Sequence, residues 1–284
     1  GSTRVELFGK KFPDRYFNLG VAEANMMGVA AGLAMAGKKP FVSTFAMFAA
    51  GKPWEQIRQV IAYQNAPVRI VATHAGLTVG EDGASHQMLE DINNLRVLPN
   101  MRVVVPADAV ETRQVVEYLA GDIDGPVYVR LPRAAFPVVL DPETYRFELG
   151  KARILREGTD VSLLAIGLMV AQSLEAADLL AAQGIAAEVV NVSTVKPLDI
   201  ETIVASARRT GAVVTAEEHQ IIGGLGSAVA EVLVEHCPVP ALRVGVRDEW
   251  GQSGEAYELV AHYGLTPEHI AQAALEVIQR KERS

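Results

Sequence analysis

The sequence has one cysteine, few aromatic residues, no long apolar run and no excess of basic charge. Cys237 is the only cysteine among 284 residues, so no disulfide can form within the chain. The net charge is −8, and an acidic chain without basic runs disfavours nucleic acid and anionic membranes as partners. Apolar runs are broken well before the roughly 20 residues that a membrane span needs. We therefore expect no nucleic-acid and no membrane partner, and a cytoplasmic location is compatible with the cysteine usage.

Length and hydrophobic content are sufficient for two modest cores. The chain has 284 residues, of which 49% are hydrophobic. Candidate strands and helices alternate in both halves, which is typical of parallel α/β sheets, and a passage with several prolines separates the halves. We predict a pair of parallel-sheet α/β domains at residues 1–132 and 151–284, joined by a linker at residues 133–150.

Glu23 is the clearest candidate for a functional residue. It is the only charged residue between Gly20 and Gly37, in a stretch rich in Ala, Leu and Met that predicts a helix capped by Gly37. A carboxylate buried there without a partner would be costly or would become protonated. An acid in the first turn of a helix can also simply interact with the macrodipole. Position alone favours the macrodipole, so a functional role needs support from elsewhere in the chain.

A loop rich in titratable residues follows the strand predicted at residues 68–74. His74 ends that strand, and residues 75–87 contain Glu81, Asp82 and His86 together with three glycines. In open α/β sheets, ligands bind beyond the carboxyl ends of the strands. We therefore predict a ligand site here, although acids in a glycine-rich turn can also serve only to solvate it.

Eight segments in a fixed order carry a resemblance to a known family. They lie at residues 18–23, 43–48, 72–87, 102–108, 195–199, 217–219, 223–226 and 250–255. Together they span nearly the whole chain, and they resemble the pyrimidine-binding domain and the C-terminal domain of transketolases. The resemblance implies thiamine diphosphate as the cofactor, and a fold in which a thiamine diphosphate pyrimidine-binding domain is followed by a transketolase C-terminal domain.

The resemblance gives each candidate on the cofactor side a role. Glu23 matches the glutamate that hydrogen-bonds the pyrimidine ring and helps the cofactor to lose a proton. Phe45 and Phe48 match aromatic residues that stack on this ring, and such stacking is physically favourable, although a Phe after a buried strand often belongs only to the core. Glu23, Asp82 and His86 are expected to be catalytic.

The substrate side is expected to bind a sugar phosphate. The residues that match substrate-binding positions of the family are His74, Asp82, His86, Arg133 and Ser2. Sugar hydroxyls need groups whose protonation can change near neutral pH, which histidine provides. Arg133 matches the arginine that holds the phosphate, since a guanidinium binds phosphate oxygens in pairs, and Arg130 is the competing choice.

The resemblance also implies a second polypeptide. The family holds the diphosphate and its Mg²⁺ or Ca²⁺ through a Gly-Asp-Gly motif, followed at a distance by Asn, in a domain that this sequence does not contain. We expect an N-terminal transketolase subunit to supply it, in an α2β2-type heterotetramer with the active site between subunits. About forty residues that usually begin the pyrimidine-binding domain, by the same resemblance, are also missing before Gly1.

The predicted function is the transfer of a two-carbon ketol unit between sugar phosphates, as in the pentose phosphate pathway. Two relatives with the same cofactor stay open as alternatives, namely deoxyxylulose phosphate synthase and the β subunit of 2-oxo acid dehydrogenases. The segments at residues 73–76 and 250–254 favour transketolase over both. A catalytically silent scaffold that keeps only the fold is the alternative of another class, and the retained Glu23 argues against it.

Overall fold

The computed structural model describes residues 3–283, which form two five-stranded sheets surrounded by helices. The strands are β1 (Phe41–Val42), β2 (Arg69–Ala72), β3 (Arg102–Val104), β4 (Val127–Arg130), β5 (Arg153–Arg156), β6 (Val161–Ala165), β7 (Ala187–Asn191), β8 (Thr194–Lys196), β9 (Val213–Gln220) and β10 (Ala241–Val246). The α-helices are α1 (Glu6–Lys11), α2 (Glu23–Met35), α3 (Trp54–Gln56), α4 (Asp91–Arg96), α5 (Ala109–Ala120), α6 (Met169–Ala181), α7 (Ile200–Thr210), α8 (Leu225–His236), α9 (Ala256–His262) and α10 (Pro267–Glu282). Wider π-helical turns lie at Met47–Gly51 and Ile57–Ala62, and 3-10 turns at Pro13–Arg15 and Leu77–Asp82.

The first sheet has the strand order β1-β2-β4-β3-β8. Its four strands from the first half of the chain are parallel, as the sequence predicts. The fifth, β8, comes from the second half and runs antiparallel to β3. The sequence prediction did not include this strand, which pairs the edge of β3 that would otherwise expose free backbone groups. The boundaries at residues 132 and 151 stay a prediction.

The second sheet has the order β10-β9-β6-β7-β5, and all its strands are parallel except β5. β6 and β7 are buried along their whole length because helices cover both faces. Neighbouring side chains of β6 therefore belong to two hydrophobic cores on opposite faces of the sheet. Leu163 lies in the core with α6 and α10, and Leu164 lies in the core with α7 and α8. The latter core is continuous with the core of the first sheet. The predicted α/β class is confirmed, with one antiparallel edge strand in each sheet.

A buried polar network joins the two halves. Arg130, at the end of β4, donates from Nε to Asp91 Oδ2 at 2.9 Å and from Nη2 to the backbone oxygen of Glu218 at 2.9 Å. The Tyr128 hydroxyl donates to the same Asp91 carboxylate at 2.7 Å. Arg130 is 6% exposed and Asp91 is fully buried. Arg130 therefore has its donors directed into the protein, which makes it a poor competitor of Arg133 for a phosphate.

Helix α2 ends where the sequence predicts. The backbone turns at Gly37, which has a φ of +78° that an L side chain would adopt only with strain. The amide of Lys38 closes the end by donating to the oxygen of Leu33 at 2.9 Å. Between residues 3 and 283, no helix has the length and apolar character to cross a membrane.

Candidate active site

Glu23 is the first residue of α2, and its carboxylate is turned inward. The residue is 6% exposed, although nothing in its local sequence requires burial. Its Oε2 accepts a hydrogen bond from Nζ of Lys52 at 2.7 Å. Lys52 directly follows the π-helical turn Met47–Gly51, and its side chain is half-exposed. The ammonium therefore reaches the buried carboxylate from the solvent side.

Burial and Lys52 act on the pKa of Glu23 in opposite directions. Burial is the largest single influence and favours the neutral acid. The hydrogen bond and the charge of Lys52, together with a backbone hydrogen bond, outweigh burial and hold the pKa of the Glu23 carboxyl below its usual value. Burial acts on this pKa as expected, but the net direction is downward because the sequence argument did not include a cation at this position.

Four rings of sequence-predicted site residues form one cluster. Phe45 and His74 are stacked with ring centroids 3.8 Å apart, and Phe45 and Phe48 are stacked at 6.1 Å. The His86 ring stands edge-on to Phe48 at 5.4 Å. Phe45 reaches this position because its backbone pairs with Thr73 beyond the end of β1. The structure thus brings together residues that are up to 41 positions apart in the sequence.

Lys52 lies in the same helical segment as Phe48, four residues further along the chain. This segment therefore carries both the partner of Glu23 and one ring of the cluster. A carboxylate and flat apolar ring faces are the groups that suit a heteroaromatic ring that carries a nitrogen.

His74 has an unusual backbone and an altered basicity. Its φ is +57°, a left-handed conformation that residues other than glycine adopt only with strain. Burial and then the positive charge of Arg133 lower the pKa of the imidazole, and the charge of Asp82 partly opposes them. Because these influences act together, His74 stays neutral at neutral pH and can both donate and accept a hydrogen bond.

Arg133 lies at the edge of the same site but is engaged with acids. Its Nη1 donates to the backbone oxygen of Val79 at 2.6 Å, and it pairs with Glu81 Oε2 at 3.2 Å and Asp82 Oδ2 at 3.8 Å. The side chain is 42% exposed, so the guanidinium remains accessible to a ligand. The predicted helper Ser2 lies outside the described residues.

The second half of the chain supports the loop that carries the site. Gly76 has a φ of +81°, and a side chain there would overlap the carboxylate of Glu218. The same carboxylate accepts from the amide of Thr78 at 2.7 Å. The Gln87 amide donates to the oxygen of Gln252 at 3.0 Å, within the segment that the sequence analysis singled out at residues 250–254. The late segments of the resemblance therefore hold the loop in shape.

Two participants were missed by the sequence analysis. Lys52 could have been found because it stands one helical turn after Phe48 and is the first basic residue after Lys39. Glu81 was given no role in ligand binding by the sequence analysis, and the structure pairs it with Arg133. Within residues 3–283, no group of three or more His, Cys, Asp or Glu side chains is arranged to hold a metal ion.

Comparison with known families matches both halves of the chain. Residues 1–138 match the family model of the transketolase pyrimidine binding domain, and residues 150–270 match that of the transketolase C-terminal domain.

Individual relatives agree with the family models. A protein of Methanocaldococcus jannaschii described as a transketolase C-terminal section is 48% identical over 99% of this chain and 88% of its own length. A 6-deoxy-6-sulfo-D-fructose transketolase subunit of Clostridium sp. strain MSTE9 is 48% identical over 99% of this chain and 86% of its own length. The 1-deoxy-D-xylulose-5-phosphate synthase of Heliobacterium modesticaldum is 41% identical over 97% of this chain but only 42% of its own length.

A solved structure shares the architecture described above. It is described as a split gene transketolase in the form of an inactive β4 tetramer. The two chains superpose with a TM-score of 0.91 and are 54% identical, covering 96% of this chain and 88% of the other. Family models over most of the sequence, relatives of similar length and a shared structure agree with one another, and the chain belongs to the transketolase family.

Proposed function

We propose that this chain is one subunit of a two-chain transketolase. It would transfer a two-carbon ketol unit between sugar phosphates with thiamine diphosphate, and it would supply the half of the active site that receives the pyrimidine ring. The observation that carries the proposal is that the chain has both a buried Glu23 carboxylate and the ring cluster of Phe45, Phe48, His74 and His86. A buried carboxylate whose pKa is perturbed by burial and by a neighbouring cation is typical of functional sites.

The side chains of Glu23, Phe45 and Phe48 suit the pyrimidine end of the coenzyme. Phe45 and Phe48 offer ring faces, and the Glu23 carboxylate offers an acceptor for a proton on a ring nitrogen. When bound, thiamine diphosphate supplies the carbon nucleophile that attacks the sugar carbonyl. Glu23 would hold the proton at the ring nitrogen, and the aromatic faces would orient the ring and exclude water from it.

The histidines and Asp82 would act on the sugar. His74 and His86 both contact Phe45 and would exchange hydrogen bonds and protons with substrate hydroxyls. Asp82 lies within reach of Arg133 and would accept from a hydroxyl nearby. These side chains come from the end of β2 and the loop that follows it, which is the edge of an α/β sheet where ligands usually bind.

Arg133 would hold the phosphate of the sugar. It is the accessible arginine of the site, and its present partners are the exposed carboxylate of Glu81 and the partly exposed one of Asp82. A phosphate could replace Glu81, because an exposed ion pair of this kind is worth only about 0.2–1 kcal/mol. Ligands for the diphosphate and its Mg²⁺ or Ca²⁺ would come from an N-terminal transketolase subunit in an α2β2-type complex.

The proposal is tested by reconstitution. The chain is mixed with a subunit that carries the diphosphate-binding domain, thiamine diphosphate and Mg²⁺, and the conversion of xylulose 5-phosphate with ribose 5-phosphate is measured. We expect turnover from the mixture and a loss of at least about 100-fold in Glu23→Gln, because a proton-holding group is removed. Glu117→Gln, an exposed acid paired with Arg113 on α5, is the matched control and should keep full activity. Turnover that is unchanged in Glu23→Gln would refute the assignment.

One alternative has specific support. The deoxyxylulose phosphate synthase of Heliobacterium modesticaldum matches 97% of this chain at 41% identity, and such synthases share the cofactor class. If the reconstituted complex consumes pyruvate with release of CO₂ and does not act on xylulose 5-phosphate, this alternative replaces the ketol transfer. Cofactor binding without either reaction would favour a silent scaffold.

A further inference from the structure

Glu23 and Lys52 form a hydrogen-bonded ion pair, and the proposed function gives Lys52 no role. The carboxylate that should receive the coenzyme ring already has a partner, since Lys52 Nζ lies 2.7 Å from Glu23 Oε2. Within the part of the chain that the structure describes, Lys52 is the only side chain that hydrogen-bonds or pairs with this carboxylate. Lys52 was assigned no role by the sequence analysis.

The two partners differ strongly in exposure. The Glu23 side chain is 8% exposed, whereas that of Lys52 is 50% exposed. The carboxylate is fixed at the start of α2, but the lysine has a long flexible stem and an ammonium that water solvates well. Lys52 can therefore leave the pair at little cost, and Glu23 cannot leave it without another partner.

We propose that the Lys52 ammonium and the pyrimidine ring of the coenzyme compete for the Glu23 carboxylate, so that Lys52 leaves Glu23 when the coenzyme binds. This inference rests on the proposed function. It makes Lys52 a positioning residue that keeps the carboxylate satisfied while the site is empty.

Electrostatics argues against both partners staying together. A ring nitrogen that shares a proton with Glu23 carries partial positive charge, and an ammonium bound to the same carboxylate would repel it at short range. The ammonium also favours the ionised acid, since it helps to lower the pKa of Glu23, whereas sharing a proton with the ring requires a more basic carboxylate. Removal of Lys52 should therefore improve the site for the ring.

Lys39 provides a matched control. Its side chain is 47% exposed, close to the value for Lys52, and its Nζ pairs with Asp122 at 2.8 Å. Asp122 is 96% exposed, so the carboxylate of this pair does not depend on the lysine for solvation. The two lysines thus differ mainly in the burial of the acid they contact.

The first experiment observes Lys52 directly by NMR of the reconstituted complex with ¹³C-dimethylated lysines. The Lys52 resonance is identified by its absence in Lys52→Arg. We expect Glu23→Gln and saturating thiamine diphosphate to shift this resonance in the same direction, toward that of a solvated lysine, while the Lys39 resonance does not move. A Lys52 resonance that stays in place while calorimetry shows bound coenzyme would overturn the inference and leave the proposed function intact.

The second experiment measures affinity for thiamine diphosphate by calorimetry in the same complex with Mg²⁺. We expect Lys52→Met to bind at least about threefold more tightly than the unmodified protein, because the competing partner is gone, and Lys39→Met to bind equally. Equal or weaker binding by Lys52→Met would overturn the inference. Absence of coenzyme binding in the unmodified complex would instead refute the proposed function, and the inference with it.

Discussion

Replacement of Arg130 by methionine should strongly lower the stability of the protein, as expected for an arginine with a structural role. Arg130 donates from Nε to both carboxylate oxygens of Asp91, at 2.9 and 3.2 Å, and from Nη2 to the backbone oxygens of Met88 and Glu218. Methionine would leave the fully buried Asp91 with only the hydroxyl of Tyr128 as a strong partner. Breaking a buried ion pair from one side costs about 3–5 kcal/mol of folding free energy. We expect the loss to lie in this range because the junction of the two halves depends on the same guanidinium.

Urea denaturation measures this loss as a change in the free energy of unfolding. The control is Arg156→Met, which removes a pair with Asp178 at 2.6 Å whose acid is 77% exposed. Such surface pairs contribute about 0–1 kcal/mol. If Arg130→Met lowers stability by no more than Arg156→Met, the junction does not rest on this buried pair and the reasoning is refuted.

Two further predictions concern stability. Gly76→Ala should lower the free energy of unfolding in urea by more than Gly184→Ala does. Both glycines have a φ near +80°, but only at Gly76 would the added Cβ meet a carboxylate, that of Glu218. Equal losses of stability in the two variants would contradict this. Burial lowers the pKa of His219 to about 4, so its contribution to stability is present above pH 6.5 and is lost as the pH falls toward 4. When the pH is lowered from 7 to 5, the free energy of unfolding of His219→Gln should therefore rise by about 2 kcal/mol relative to that of the unmodified protein. Burial raises the pKa of Glu217 to about 7, so Glu217 makes stability change with pH in the opposite direction, and it does so in both proteins. If the difference in unfolding free energy between the two proteins is the same at pH 7 and pH 5, the lowered pKa of His219 is refuted.

The parts of the site that depend on local pattern could be predicted from the sequence. A lone acid in an apolar helix indicated Glu23, and the composition of the loop at residues 75–87 indicated a ligand site after β2. The structure brings His74 and His86 into contact with Phe45, and their roles in catalysis stay predictions. Such patterns are readable because the position of a residue in its own helix or loop follows from neighbouring residues.

Features that depend on long-range pairing could not be predicted. Strand β8 has only three residues and borders β3, a strand more than 90 positions earlier in the chain, and nothing in its composition specifies that partner. The sequence around Arg130 and Arg133 does not show which of the two is buried. Only the fold places Arg130 against Asp91 and leaves Arg133 at the surface. The partner of Glu23 depends on how α2 packs against the next helical segment, which fixes the reach of Lys52.

The crossing of β8 into the first sheet has a consequence for dissection of the protein. A fragment that stops before residue 194 would leave one side of β3 open along its backbone amides and carbonyls. Such a fragment is expected to precipitate or to recruit strands from its neighbours, even if its own hydrophobic core were complete. Chimeras of two relatives should therefore take both sheets from the same parent. In a chimera joined in the linker, β3 of one parent would have to pair with β8 of the other.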